Sequence, residues 1–220
     1  MLYLNPPHLT VNCKRLVENA MDSGYLTSLG RYVDEFEEAI GDYLEIDKNR
    51  VLVVNSGTSA LHLSLLVSGI SFGDLVLVPN LTFAATMNAV RYVGAKVMLA
   101  DVDLNNWNLS VEIIKERNSY SLENFDKPLK AVILVSLYGI VPEYSEIIKY
   151  CAENKIIVIE DAAESLGSKY MNSFSGCFGA YGVFSFNGNK IITTSGGGAL
   201  ICPDADARNR ALHLSNQAKL

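Results

Sequence analysis

The chain has 220 residues, 49% hydrophobic and 19% charged, enough to bury a substantial core at the usual size of about 100 to 200 residues per domain. Eighteen basic against 24 acidic side chains leave a net charge of −6 with no basic block, which argues against a nucleic-acid or anionic-membrane surface. Cys13, Cys151, Cys177 and Cys202 are scattered without a Cys-x-x-Cys pair, so neither a zinc site nor a secreted disulfide framework is expected, and a reducing cytoplasm is the expected location.

In chain order, Met1-Leu2-Tyr3-Leu4-Asn5-Pro6-Pro7 lacks a basic leader, and no later window approaches the roughly 18 apolar residues of a membrane span. Val11–Ala20 reads as a helix, as does Arg31–Leu44, whose Val33, Phe36, Ile40 and Leu44 fall near one face and suit packing outside the sheet or against a partner. Alternation then sets in. Strands are predicted at Val51–Asn55, Leu75–Pro79, Lys96–Ala100, Ala131–Leu137, Ile156–Glu160, Tyr181–Phe186 and Ala199–Cys202. Helices are predicted between them at Thr58–Val67, Ala84–Val93, Val111–Glu116 and Glu143–Asn154. Most of the strands are continuous Val/Ile/Leu runs, as expected where a largely parallel sheet is covered on both faces, so the chain is read as an α/β protein. From Ala205 a helical pattern runs through Leu214 and reaches Leu220 without a Gly or Asn cap.

Open α/β sheets bind ligands beyond the carboxyl ends of their strands. Two such ends carry chemistry here: Glu160-Asp161-Ala162-Ala163-Glu164 after one apolar run, and Asn187-Gly188-Asn189-Lys190 after Val183-Phe184-Ser185-Phe186. Ser195-Gly196-Gly197-Gly198 allows close backbone approach. Asn55-Ser56-Gly57-Thr58-Ser59-Ala60-Leu61 is a strand-to-helix turn of the kind that presents amides to an anion, although the same residues also serve as ordinary caps. It is neither a Gly-x-Gly-x-x-Gly dinucleotide fingerprint nor a Gly-x-x-x-x-Gly-Lys-Ser/Thr phosphate loop. Taken singly, Lys190 reads as a solvated lysine, Asp161 as a turn cap and Phe83 as core. His8, His62 and His213 are isolated, so no metal is expected. Asn80-Leu81-Thr82 and Asn108-Leu109-Ser110 match glycosylation sequons that need an export signal to matter.

Taken together, Asp161-Ala162-Ala163-Glu164-Ser165-Leu166-Gly167 followed by Phe184-Ser185-Phe186-Asn187-Gly188-Asn189-Lys190-Ile191-Ile192-Thr193-Thr194 resembles the DegT/DnrJ/EryC1/StrS family of pyridoxal-phosphate-dependent sugar aminotransferases, from about Asn5 to the last residue. The resemblance implies the large domain of a PLP-dependent transferase (aspartate aminotransferase-like, fold type I), with a mostly parallel seven-stranded sheet flanked by helices. Residues 1–220 would form that single domain, with the family's carboxyl-terminal small domain missing. It makes Lys190 the amine that holds pyridoxal 5'-phosphate and Asp161 the partner of the pyridine nitrogen. Glu164, often Gln in relatives, would lie beside the phenolic oxygen. Gly57, Thr58, Ser59 and Ser185 would take the phosphate, and Phe83 would stack on the ring.

The implied partners are glutamate, a nucleotide-linked keto sugar and a second subunit, in a homodimer with shared active sites. Asn187 and Ser136 depart from the pattern, since many relatives have His at both positions; an Asn has no useful basicity. The Asn-Gly-Asn-Lys and Ser-Gly-Gly-Gly variants are similar to those of relatives acting on nucleotide-linked N-acetylated 4-keto-6-deoxy sugars. A dehydratase of the same family would carry His in place of Lys190. The alternatives are a cofactor-binding or assembly fragment without turnover and, from a different class, a dinucleotide-dependent oxidoreductase, which lacks its glycine fingerprint.

Overall fold

A computed structural model describes residues 6–24 and 26–216. Two helices, α1 (Val11–Asp22) and α2 (Arg31–Leu44), precede the sheet. The alternation that follows is β1 (Val51–Val54), α3 (Gly57–Val67), β2 (Leu75–Pro79), α4 (Ala84–Tyr92), β3 (Lys96–Ala100), α5 (Val111–Phe125), β4 (Ala131–Val135), α6 (Tyr144–Glu153) and β5 (Ile157–Asp161). A two-strand hairpin, β6 (Lys169–Tyr170) with β7 (Ser173–Phe174), leads to β8 (Tyr181–Ser185), β9 (Gly198–Ile201) and α7 (Ala205–Ser215).

The seven long strands form one sheet in the order β1-β9-β8-β5-β4-β2-β3. Only β9 runs against its neighbours, so the sheet is mostly parallel, as expected. Both faces are covered, which is why the strands lack polar alternation. On one face Leu61 and Leu65 of α3, Val90 of α4 and Ala207 and Ala211 of α7 meet Val76, Ile133, Ile159, Val183 and Leu200. On the other, Ile114 of α5 and Tyr144 and Ile147 of α6 meet Leu77, Val132, Leu134 and Val158. Ile40 and Leu44 of α2 extend that second layer over Val51, Phe184 and Ile201. The face predicted for α2 therefore packs on the sheet itself.

The outer edge of β1 is closed by side chains rather than by another strand. Glu37 of α2 accepts the Val53 N–H at 2.9 Å and pairs with Arg208 of α7 at 2.7 Å, while Arg208 Nε donates to the Val51 carbonyl at 3.2 Å. Most predicted boundaries shift by a residue or two, but α5 runs nine residues beyond the predicted Glu116, to Phe125. Its polar second half has weak intrinsic preference for helix. It is held by tertiary bonds: Asn118 accepts the Leu129 N–H at 3.0 Å, and Ser121 donates to the Lys127 carbonyl. The predicted strand Ala131–Leu137 ends at Val135, and Leu137–Gly139 turns into a short 3-10 segment with Tyr138 at a φ of 53°. Helix α7 ends at Ser215; the expected uncapped end at Leu220 lies outside the described residues.

Candidate active site

Asp161 is the last residue of β5, flanked in register by Val135 of β4 and Val183 of β8, so it ends a central strand as well as meeting the following turn. It is 6% exposed. Thr86 of α4 donates to its Oδ2 at 2.7 Å, and the Ala163 N–H reaches Oδ1 at 3.3 Å. Burial pushes the Asp161 carboxyl above its ordinary range; the Thr86 and Ala163 bonds and the charge of Lys190 pull it back, and the charge of Glu164 adds to the rise. Thr86 is absent from the sequence reading. Its only sequence signal is the Thr82/Thr86 pair at helical spacing around Phe83.

Lys190 lies in the turn after β8, where its N–H bonds the Asn187 carbonyl at 3.0 Å. Its Nζ meets Glu164 Oε1 at 3.0 Å, and the two side chains are only 13% and 26% exposed. The other oxygen of Glu164 accepts the Tyr138 N–H at 3.0 Å, so the 3-10 turn after β4 orients the carboxylate that holds the lysine. Asp161 and Glu164, three residues apart, are thereby brought together with the distant Lys190 at the carboxyl ends of β5 and β8. Asn187 donates to Asn189 at 3.2 Å.

An anion cradle is built where α3 begins. Ser56 caps the helix by accepting the Ser59 N–H at 3.1 Å, and the Ala60 N–H turns back to the Ser56 carbonyl. The Gly57 and Thr58 N–H groups thus open the helix without an intrahelical acceptor, at the positive end of its dipole. A Cβ on Gly57 would come within 2.9 Å of Ser185 Cβ, and one on Gly198 within 2.4 Å of the Ser56 carbonyl carbon and 2.6 Å of the Gly57 nitrogen. These glycines let β8, β9 and the start of α3 touch, which sets the Ser185 hydroxyl beside the free amides. Ser59 was expected to supply both amide and hydroxyl; here its amide is spent on the cap and its hydroxyl lies 2.9 Å from that of Ser56.

Phe83 immediately precedes α4, one turn from Thr86, and is 70% exposed rather than core. Ser136, in contrast, is turned inward at 1% exposure, with hydroxyl contacts of 3.3 Å to Tyr144 and Ser175. A cleft of about 630 Å³ between α2, α3 and α7 takes in Ser59, His62, Glu37 and Arg208 but none of Asp161, Glu164 and Lys190. Among the described residues, no group of three or more His, Cys, Asp or Glu side chains could hold a metal ion.

The donor set fits pyridoxal phosphate on observations made without it: a cradle that any Cβ would fill, an amine held by one carboxylate, and a buried carboxylate with an oxygen to spare. Comparison with solved structures gives the class. An aminotransferase, TlmJ from Streptoalloteichus hindustanus, matches with a TM-score of 0.89 at 28% identity, over 97% of this chain and 56% of that one. The fold is that of the pyridoxal-phosphate-dependent transferases.

Sequence comparison narrows it, because the profile of the DegT/DnrJ/EryC1/StrS aminotransferase family matches residues 7–220. The chain belongs to that family. Similar curated proteins include GDP-perosamine synthase from Escherichia coli O157:H7, 37% identical over 211 residues, 96% of this chain and 56% of the relative. Another is the UDP-4-amino-4,6-dideoxy-N-acetyl-beta-L-altrosamine transaminase of Campylobacter jejuni, 37% identical over 172 residues, 78% of this chain and 44% of the relative. The chain spans about half the length of the curated relatives it matches.

Proposed function

We propose that the chain is the cofactor-holding part of an aminotransferase that moves an amino group from glutamate to the 4-keto carbon of a nucleotide-linked 4-keto-6-deoxy sugar. The observation that carries this reading is the Lys190–Glu164 pair at 3.0 Å beside buried Asp161. When bound, pyridoxal phosphate supplies the electron sink for the carbon that exchanges its amino group. Lys190 Nζ would hold the cofactor and, as a free amine, would be the base that moves the proton of the amino donor. Glu164 orients that amine. Asp161 in its ionised form would favour the protonated pyridine nitrogen. Gly57 and Thr58 amides with the Ser185 hydroxyl bind the phosphate, and Phe83 offers an apolar face to the ring. Asn187 has no basicity with which to share the proton transfer.

For the finer substrate we favour a UDP-linked, N-acetylated sugar destined for cell-surface glycan, on the Asn187-Gly188-Asn189-Lys190 and Ser195-Gly196-Gly197-Gly198 segments. The relatives include proteins named for a GDP-linked and for a UDP-linked sugar. The active assembly is proposed to be a homodimer in the cytoplasm; no described helix is long and apolar enough to cross a membrane.

The test is a visible absorbance spectrum of the purified chain with pyridoxal phosphate, before and after glutamate, with Lys190→Ala beside it. A Lys190-dependent band that glutamate converts to the pyridoxamine form supports the proposal, and a band that persists in Lys190→Ala removes the lysine assignment. A Lys190-dependent band unmoved by glutamate favours the second reading, a cofactor-binding chain without turnover, which the half-length match to relatives motivates.

A further inference from the structure

We propose that Thr86 is a positioning residue that fixes which oxygen of Asp161 is free for a ligand and keeps that carboxylate ionised, through a directed hydroxyl chain that begins at Thr82. Its bearing on the cofactor rests on the reading of Asp161 given above.

Threonine inside a helix ordinarily turns its hydroxyl back to a carbonyl of the preceding turn. Thr86, wholly buried in α4, instead spans 75 residues of sequence to reach Asp161 Oδ2 at 2.7 Å. Thr82 lies one turn earlier, its Oγ1 2.8 Å from Thr86 Oγ1. Each hydroxyl has one proton, and an ionised carboxylate has none. The Thr86 proton must therefore lie on the Asp161 side, and Thr82 must be the donor to Thr86. While Asp161 is ionised the chain has a polarity that points at the carboxylate, and it reverses when a proton on Oδ2 is donated to Thr86.

The same bond divides the two oxygens. Oδ2 is held by the short Thr86 contact, while Oδ1 receives only the Ala163 N–H at 3.3 Å. Oδ1 therefore keeps the lone-pair capacity to accept from a protonated ring nitrogen. Ionisation is opposed by burial and by the charge of Glu164, and favoured by Ala163 and by Lys190. Thr86 supplies the one side-chain hydrogen bond to Asp161 recorded among the described residues, and it comes from the helix that follows Phe83. One turn thus supplies both the apolar face and the group that orients the carboxylate.

The experiment is a carboxyl ¹³C titration of Asp161 in the cofactor-free chain, for wild type, Thr86→Val, Thr86→Ser and Thr82→Val. Thr86→Val is expected to raise the Asp161 midpoint by about one unit, Thr86→Ser to restore it, and Thr82→Val to give a smaller rise in the same direction. A midpoint in Thr86→Val equal to wild type overturns the proposal. If Thr86→Val does not fold, the partly exposed Thr82→Val decides, and no shift there overturns the directed chain. Pyridoxal phosphate affinity is measured alongside and is expected to fall in Thr86→Val. Asp161→Asn separates the two claims: unchanged cofactor affinity in that variant removes the cofactor role of Asp161, while the titration still decides the role of Thr86.

Discussion

Two buried carboxylates stand next to each other at the end of β5, on opposite faces of the strand, and are satisfied in different ways. Glu160 is fully buried and accepts the N–H groups of Gly176, Phe178 and Gly179 at 2.8, 2.6 and 2.6 Å. Those bonds pin the loop that precedes β8. Asp161 has one strong and one weak donor, which leaves room for a ligand. Replacing Glu160 with Ala would orphan one buried and two partly buried donors and cost about 3 kcal/mol of stability in urea denaturation; a cost under about 1 kcal/mol would show the loop to be held by other contacts. Burial holds both carboxyls above their ordinary range, so the folded chain binds these protons more tightly than the unfolded one. The stability they contribute is complete below the ordinary carboxyl pKa of about 4 and is lost as pH rises through the elevated folded values. Asp161→Asn removes one such titration. Its stability relative to wild type is expected to rise between pH 4 and pH 7, by about 1.4 kcal/mol per unit of elevation removed. Urea melts at the two pH values check this, and a pH-independent difference would contradict it.

At the scale of elements, the site depends on how closely β9 and the start of α3 approach. Gly198→Ala would drive a methyl into the Ser56–Gly57 peptide, with contacts of 2.4 to 2.6 Å to backbone that cannot swing aside. We expect a loss of about 2 to 3 kcal/mol together with weakened pyridoxal phosphate binding, measured by denaturation and by absorbance titration; intact affinity would show that the cradle tolerates a shifted helix. The edge of β1 rests on a different device. Glu37→Ala would orphan the Val53 N–H and leave Arg208 unpaired, at an expected cost of about 3 kcal/mol, whereas an effect near zero would mean that the edge needs no closure. The strands were legible because most are apolar runs such as Val132-Ile133-Leu134. The far half of α5 was not, since Asn118 and Ser121 become helical only through partners across the fold. The Glu37–Arg208 clamp joins residues 171 positions apart and leaves no local mark.

Across the whole molecule, the same division between local and distant information separates what the sequence disclosed from what required the fold. Asp161, Glu164 and Lys190 sit in two compact motifs at strand ends, so their convergence followed from the sheet order once that was known. Thr86 and the Tyr138 amide reach the site through tertiary packing, as does the inward turn of Ser136, and apart from the Thr82/Thr86 spacing no nearby residue announces them. Among the described residues, the apolar side of α1 is left uncovered. Leu16, Val17 and Met21 of α1 are 42%, 61% and 61% exposed, and none of the residues of that helix is buried. Cys13, Leu16, Val17 and Ala20 repeat at helical spacing, so an apolar stripe faces outward where a core-packed helix would hide it. The proposed occupant is a second copy of the chain, because the homodimer inferred for the active assembly needs an apolar contact of this kind. Light scattering over a range of concentrations should then give twice the monomer mass, and Val17→Glu with Met21→Glu should return it to the monomer while the far-ultraviolet circular dichroism stays unchanged. A wild-type monomer at every concentration would remove both the dimer and this role for α1; a dimer indifferent to the two substitutions would keep the dimer and move its contact to another face.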